Sequence, residues 1–256
     1  MRFSAASGVR AVMGGALLLL VGCSTSPQEL EQATEDLPGV ISVEAAENDG
    51  DDPIPLVSIP KTVDIVMEED VSASEVKGVF DEYEREIDER EVESVHVALD
   101  GQKDAVLITG EGIHATMAMA EDLVAAAADE DITAYRREAF PVLPGVDVRL
   151  AALGLDRAIG IVGRYRDAEE IELIQVVSGG FVLIRDAVNG DPALYDARER
   201  FARRVNNRFG LTGAVVSSRG PLELFVTATD QAAASRFVAR TATSRALRRV
   251  IVRTRD

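Results

Sequence analysis

Apolar positions recur along this chain with two periods, and the alternation between them lays out its elements. Thr62 to Met67 alternates residue by residue, as a strand with one buried face does. Ser72 and Glu75 have the spacing of a capping box. The helix they open carries Val76, Val79, Phe80, Tyr83 and Ile87 on one side of a 3.6-residue period. Ser94 to Leu99 and Ala105 to Thr109 read as strands about a turn at Asp100-Gly101. An Ala-rich helix follows from near His114 to Ala128, and a strand from near Ile132 to Arg136 closes the series. The order over residues 61–140 is β-α-β-β-α-β.

Residues 179–256 repeat that order. Phe181 to Arg185 reads as a strand after a Gly179-Gly180 hairpin turn. Asp191 and Pro192 supply the cap and first turn of a helix bearing Leu194, Phe201 and Val205, and Gly210 stops it. Ala214 to Ser217 and Leu222 to Thr227 form a hairpin about Arg219-Gly220-Pro221, Asp230 caps a helix through Phe237 and Val238, and Val250 to Val252 is the last strand. Val63 to Val182 and Val97 to Val216 are both offsets of 119 residues, a repeat of topology with little residue identity.

A β-α-β-β-α-β order resembles the ferredoxin-like split fold, which implies a four-stranded sheet with helices on one face. The expected class is therefore α+β, with two tandem ferredoxin-like modules at 61–140 and 179–256. The connecting stretch, residues 141–178, holds apolar runs at Val146–Leu153, Ala158–Val162 and Ile171–Val177. These are extra strands or, from Ala168 to Val177, a helix; periodicity does not decide.

Ahead of the modules, residues 23–60 carry nine carboxylates and five prolines with few large apolar side chains, the composition of an acidic disordered tether. Glu47-Asn48-Asp49-Gly50-Asp51-Asp52 lacks the ligand spacing of an EF-hand loop, so it reads as solvated spacer.

The N-terminus begins with Arg2 and Arg10, continues as an apolar run from Ala11 to Val21, and ends at Leu20-Val21-Gly22-Cys23, which holds the chain's one cysteine. Eleven residues are too few to span a bilayer, which takes roughly 20. This segment resembles the signal peptide and lipobox of bacterial lipoproteins. The resemblance implies removal of residues 1–22, a lipid on the Cys23 thiol, and attachment to the extracytoplasmic face of the cell membrane. Arginine outnumbers lysine 24 to 3, a bias similar to that of high-GC actinobacteria.

Charge changes the picture along the chain. Residues 24–132 sum to −25 and residues 133–256 to +6, within an overall −17. The acidic first helix (Asp81 to Glu89) and the basic second-half helix (Arg198, Arg200, Arg203, Arg204, Arg208) are thus candidates to face one another. The extracytoplasmic address and net acidity argue against nucleic acid and leave an envelope protein, polymer or lipid as partner.

Catalytic signals are sparse. His96, His114 and Glu111 supply no complete ligand set, so no metal and no cofactor is expected. No nucleophile elbow, phosphate loop or dinucleotide fingerprint is present, and Gly160 and Gly163 read as turns or bulges. The expected function is a non-catalytic envelope binding or scaffold module. The alternative is an envelope hydrolase or modifying enzyme with an unrecognised site.

Overall fold

A computed structural model describes residues 25–47, 61–89, 91–101, 103–110, 112–168 and 170–255. Within them the chain runs α1 (Pro27–Thr34), β1 (Val40–Glu47), β2 (Lys61–Met67), α2 (Ala73–Glu82), α3 (Glu84–Asp88), β3 (Ser94–Leu99) and β4 (Asp104–Gly110). It continues α4 (Met117–Ala128), β5 (Ile132–Ala139), β6 (Gly145–Leu150), α5 (Leu155–Tyr165), β7 (Leu173–Ser178), β8 (Phe181–Asp186) and α6 (Pro192–Phe209). It ends β9 (Gly213–Ser217), β10 (Leu222–Val226), α7 (Gln231–Thr241), a 3-10 turn (Arg245–Leu247) and β11 (Val250–Thr254). The class is α+β. Residues 1–24, with the expected signal segment and Cys23, and residues 48–60 lie outside the described residues.

The strands join one open mixed sheet in strict sequence order. The pairs β2–β3, β4–β5, β6–β7, β8–β9 and β10–β11 are parallel, each bridged by a helical connection, and antiparallel pairings join one such pair to the next. This pairing does not bear out two ferredoxin-like modules. In that fold a strand from the second β-α-β unit separates the parallel strands of the first, whereas here Val63 of β2 lies directly beside Val95 of β3. The repeating unit is instead β-α-β, beginning at Lys61, Asp104, Gly145, Phe181 and Leu222. The 119-residue offset spans three such units of about 40 residues. The connecting stretch is itself the third unit, with Gly160 and Gly163 inside α5 rather than at turns.

One face of the sheet is buried from end to end. Val63, Val95, Leu107, Tyr135, Val148, Val176, Leu183, Val216 and Leu224 point inward from successive strands, and the crossover helices lay their apolar sides on this row. α2 packs against α4 and α5 against α6 on that same side. Strand direction reverses from unit to unit while every unit steps the same way across the sheet. Successive crossovers therefore alternate in hand, against the usual right-handed preference.

Residues 25–47 are folded, which corrects the tether over that stretch. Ser26 and Glu29 form a capping box, Leu30 is 1% exposed, and β1 pairs antiparallel with β2. Average composition concealed this, because one well-placed leucine and a strand edge suffice once a sheet is present to receive them. Tyr83 fastens the segment: its hydroxyl donates to Leu30 O at 2.7 Å and lies 2.8 Å from Thr34 Oγ1.

Burial pushes the Tyr83 phenol up to about 12, although the Thr34 hydrogen bond opposes the shift. A neutral phenol in the fold supports stability fully below the unfolded value of 10 and loses that contribution as pH rises toward 12. Tyr83→Phe should cost about 1–2 kcal/mol at pH 7 and flatten the decline of stability between pH 9 and 11. Urea midpoints across that range test both, and an unchanged pH slope would remove Tyr83 from the account.

Candidate functional site

The sequence-flagged histidines lie apart. His96 is on the open face of β3, opposite Val95 and Val97 as its alternation requires, while His114 sits before α4 between Glu84 (3.6 Å) and Asp88 (3.3 Å) of α3. Glu111 lies outside the described residues. Among the described residues no group of three or more ligating side chains is arranged to hold a metal ion.

His96 does take part in a hydrogen-bonded row that the sequence did not reveal. Parallel register places Asp64 beside it, and Ser94 shares its face two residues earlier. With the ring proton on Nδ1, His96 donates to Asp64 Oδ1 at 2.8 Å, and Ser94 Oγ lies 3.1 Å from His96 Nε2. The residue types are those of a serine hydrolase, but the exposures run in the wrong order. Ser94 is 6% exposed, whereas the His96 and Asp64 side chains are 29% and 56% exposed. A hydrolase needs an accessible nucleophile, an oriented base and backbone N–H groups free to receive an oxyanion. β3 is bonded on both sides, so its N–H groups are engaged in ladders. The row is a cross-strand polar ladder.

A cleft lies in the basic end of the molecule. It has a volume of about 730 Å³ and opens between the first turn of α6, the β9–β10 turn at Gly220 and the segment Arg245–Arg249. The Asp191 side chain caps α6 by accepting from Leu194 N–H at 3.1 Å. The preceding loop is held in place by Asp186, which accepts from Asn189 N–H (2.7 Å), pairs with Arg219 (2.9 Å) and donates its own N–H to Ser218 Oγ (2.9 Å). At Gly190 any Cβ would overlap Ser218 Oγ and Asp186 O, so only glycine lets the loop pass this close.

Arg198, 4% exposed, forms the base of the cleft. Its guanidinium donates to Ser217 O (2.6 Å), Arg219 O (3.3 Å) and Ala246 O (3.3 Å), tying two walls together through carbonyls. Burial, reinforced by nearby Arg249, holds its pKa below the usual guanidinium range. Arg245, Arg248 and Arg249 are exposed on the rim. Among the described residues none of these four makes an ion pair, and Asp191 is the sole carboxylate in the lining. Uncompensated arginines beside a helix N-terminus favour an anion. Sequence analysis marked Arg198 but not its partners; the Arg248-Arg249 pair before an apolar strand was the available signal.

The acidic and basic helices do not face each other, since α2–α3 and α6 belong to the first and fourth units. Opposite charges instead stitch neighbouring units. Arg137, 3% exposed, bonds Asp122 (2.6 Å) and Glu170 (3.1 Å); Arg157 bonds Asp129 (2.8 Å); and Arg166 bonds Glu199 (2.6 Å). A smaller open-face cleft contains Asp147, which accepts from Gln175 at 3.1 Å through Oδ2 while Oδ1 is buried without a partner.

No family model, curated protein or solved structure matches this chain.

Two outcomes follow from these geometries. Burial raises the Asp147 pKa, so its ionised form is disfavoured in the fold and its contribution to stability falls as pH rises through the folded value. Asp147→Asn should therefore leave stability at pH 7 equal to wild type or raise it by up to about 1 kcal/mol, read from urea unfolding; a loss above about 2 kcal/mol would contradict this. A fluorophosphonate probe should leave Ser94 unlabelled in intact-mass analysis, and a probe adduct abolished by Ser94→Ala would make the polar ladder an active site.

Proposed function

We propose that this chain is a lipid-anchored protein of the extracytoplasmic face that acts as a non-catalytic binding module for an anionic ligand. The observation that carries the binding half is the arginine cleft, in which four guanidinium groups face one carboxylate already committed to a helix cap. The anchoring half rests on the Leu20-Val21-Gly22-Cys23 sequence and its basic and apolar approach. Among the described residues no helix is long and apolar enough to cross a membrane.

The start of the fold bears on how such an anchor works. Thr25 N–H donates to Glu91 at 3.3 Å, its hydroxyl also bonds Glu91, and Lys61 bonds its carbonyl. Only Ser24 separates Cys23 from this fixed point. A lipid on Cys23 would hold the first unit close to the bilayer, with the arginine cleft in the last two units up to ten strand spacings away, about 48 Å at most.

Cys23→Ala is expected to move the protein from the membrane to the soluble fraction and to abolish a diacylglycerol-sized mass increment. An unmodified wild-type Cys23 would end the anchoring proposal. Anion binding to the full chain, measured by calorimetry at low and high salt, tests the other half; heats indistinguishable from dilution for phosphate, citrate and sulfate alike would end the binding proposal.

A further inference from the structure

Resting on the anion-binding proposal, we infer that the arginine cleft is a phosphate-ester site that takes a phosphate carried on a small polyol. Three features of the cleft select that chemistry. The first is charge: four guanidinium groups against Asp191 leave a formal excess of three positive charges, which a single carboxylate would not balance and a phosphate dianion balances far better. Arginine forks also match phosphate oxygens in pairs.

The second is the division of labour among the arginines. Arg198 is spent on three backbone carbonyls, so it supplies fixed positive potential and wall geometry. Arg245, Arg248 and Arg249 are exposed and unpaired by carboxylates among the described residues, which leaves their donors available to a ligand. The first turn of α6 adds its positive end, and Ala193 at the second helical position has no intrahelical acceptor for its N–H.

The third is size and lining. A cleft of about 730 Å³ far exceeds a bare phosphate and lies in the range of small-molecule sites. Its remaining wall is Ala193, Leu194, Ala246 and Gly220, a surface without aromatic rings. That wall suits a short carbon chain bearing hydroxyls and offers nothing for a base or sugar ring to stack on. The same chemistry occurs in a soluble polyol phosphate and in a glycerophospholipid headgroup.

The test uses the full chain in detergent, titrated calorimetrically with sn-glycerol 3-phosphate, inorganic phosphate, glycerol and malonate, and with mixed micelles carrying phosphatidylglycerol or phosphatidylcholine. Glycerol 3-phosphate should bind at least tenfold more tightly than malonate, with no measurable binding of glycerol. The double variant Arg248→Gln/Arg249→Gln should weaken this at least tenfold while the thermal midpoint is kept. Arg200→Gln/Arg204→Gln, which removes exposed arginines outside the cleft, should leave it unchanged. Preference for glycerol 3-phosphate over phosphatidylglycerol micelles supports a soluble source, and the reverse a headgroup. Equal affinity for malonate, or equal weakening by the two double variants, overturns the phosphate-ester site while leaving general anion binding intact. No binding of any anion overturns both.

Discussion

One constraint organises the molecule: the whole inward row of an open sheet, from Val63 to Leu224, has to be covered from the same side. A single β-α-β unit of about 40 residues presents a pair of strands and one helical layer, too little apolar surface to fold alone. Stacking five of them merges the local surfaces into one core. The requirement for coverage on one side, together with strand reversal at every hairpin, is what makes the crossovers alternate in hand. The intrinsic preference for right-handed crossovers is overridden because apolar side chains point to one face only. Among the described residues the edge strands are β1, which shifts register between Val40 and Ser42, and β11, which carries Arg253 with Arg255 just beyond it, features that discourage pairing with another chain.

Covering one face also decides where charge goes. Adjacent helices sit side by side, so carboxylates and guanidinium groups at their margins meet across unit boundaries, as Arg157 does with Asp129 and Arg166 with Glu199. The acidic early units and basic late ones thus neutralise each other only where neighbours touch. Burial raises the pKa of the carboxyl groups of Asp122 and Glu199, and Arg137 and Arg166 beside them oppose the shift. At the far end the chain runs out of acids. From Arg198 to Arg255 there are 13 arginines against Glu199, Glu223 and Asp230, and four of the arginines line the cleft.

Local elements were legible in the sequence because their signals are local. The Ser72/Glu75 box, the inward valines around His96, the Asp191-Pro192 start and the Gly210 stop all reappear as read. Pairing was not legible. A β-α-β-β-α-β string is compatible with a neighbouring or an interleaved partner strand, and nothing in the alternation of Val63 or Val95 says which strand lies beside it. The error at residues 25–47 has a different source. Mean composition registers acidity and proline, whereas docking depends on Leu30 finding a niche and on Tyr83 reaching back 53 residues to its carbonyl. The cleft escaped notice for the same reason, since Arg198 and Ala246 meet only after α7 has turned the chain back.

The two polar constellations of this fold show why a set of residue types does not define a function. Ser94, His96 and Asp64 have the distances of a relay, but a strand bonded on both sides offers no N–H to a developing charge, and the nucleophile is the most buried member. Around Arg198 the arrangement is the opposite. The structural work falls to the buried guanidinium, the one nearby acid is occupied by a helix cap, and the remaining arginines stand at an open rim with a helix N-terminus behind them. The buried guanidinium is spent on the walls of the cleft and the exposed ones have no carboxylate partner among the described residues, and it is this division that the binding proposal rests on.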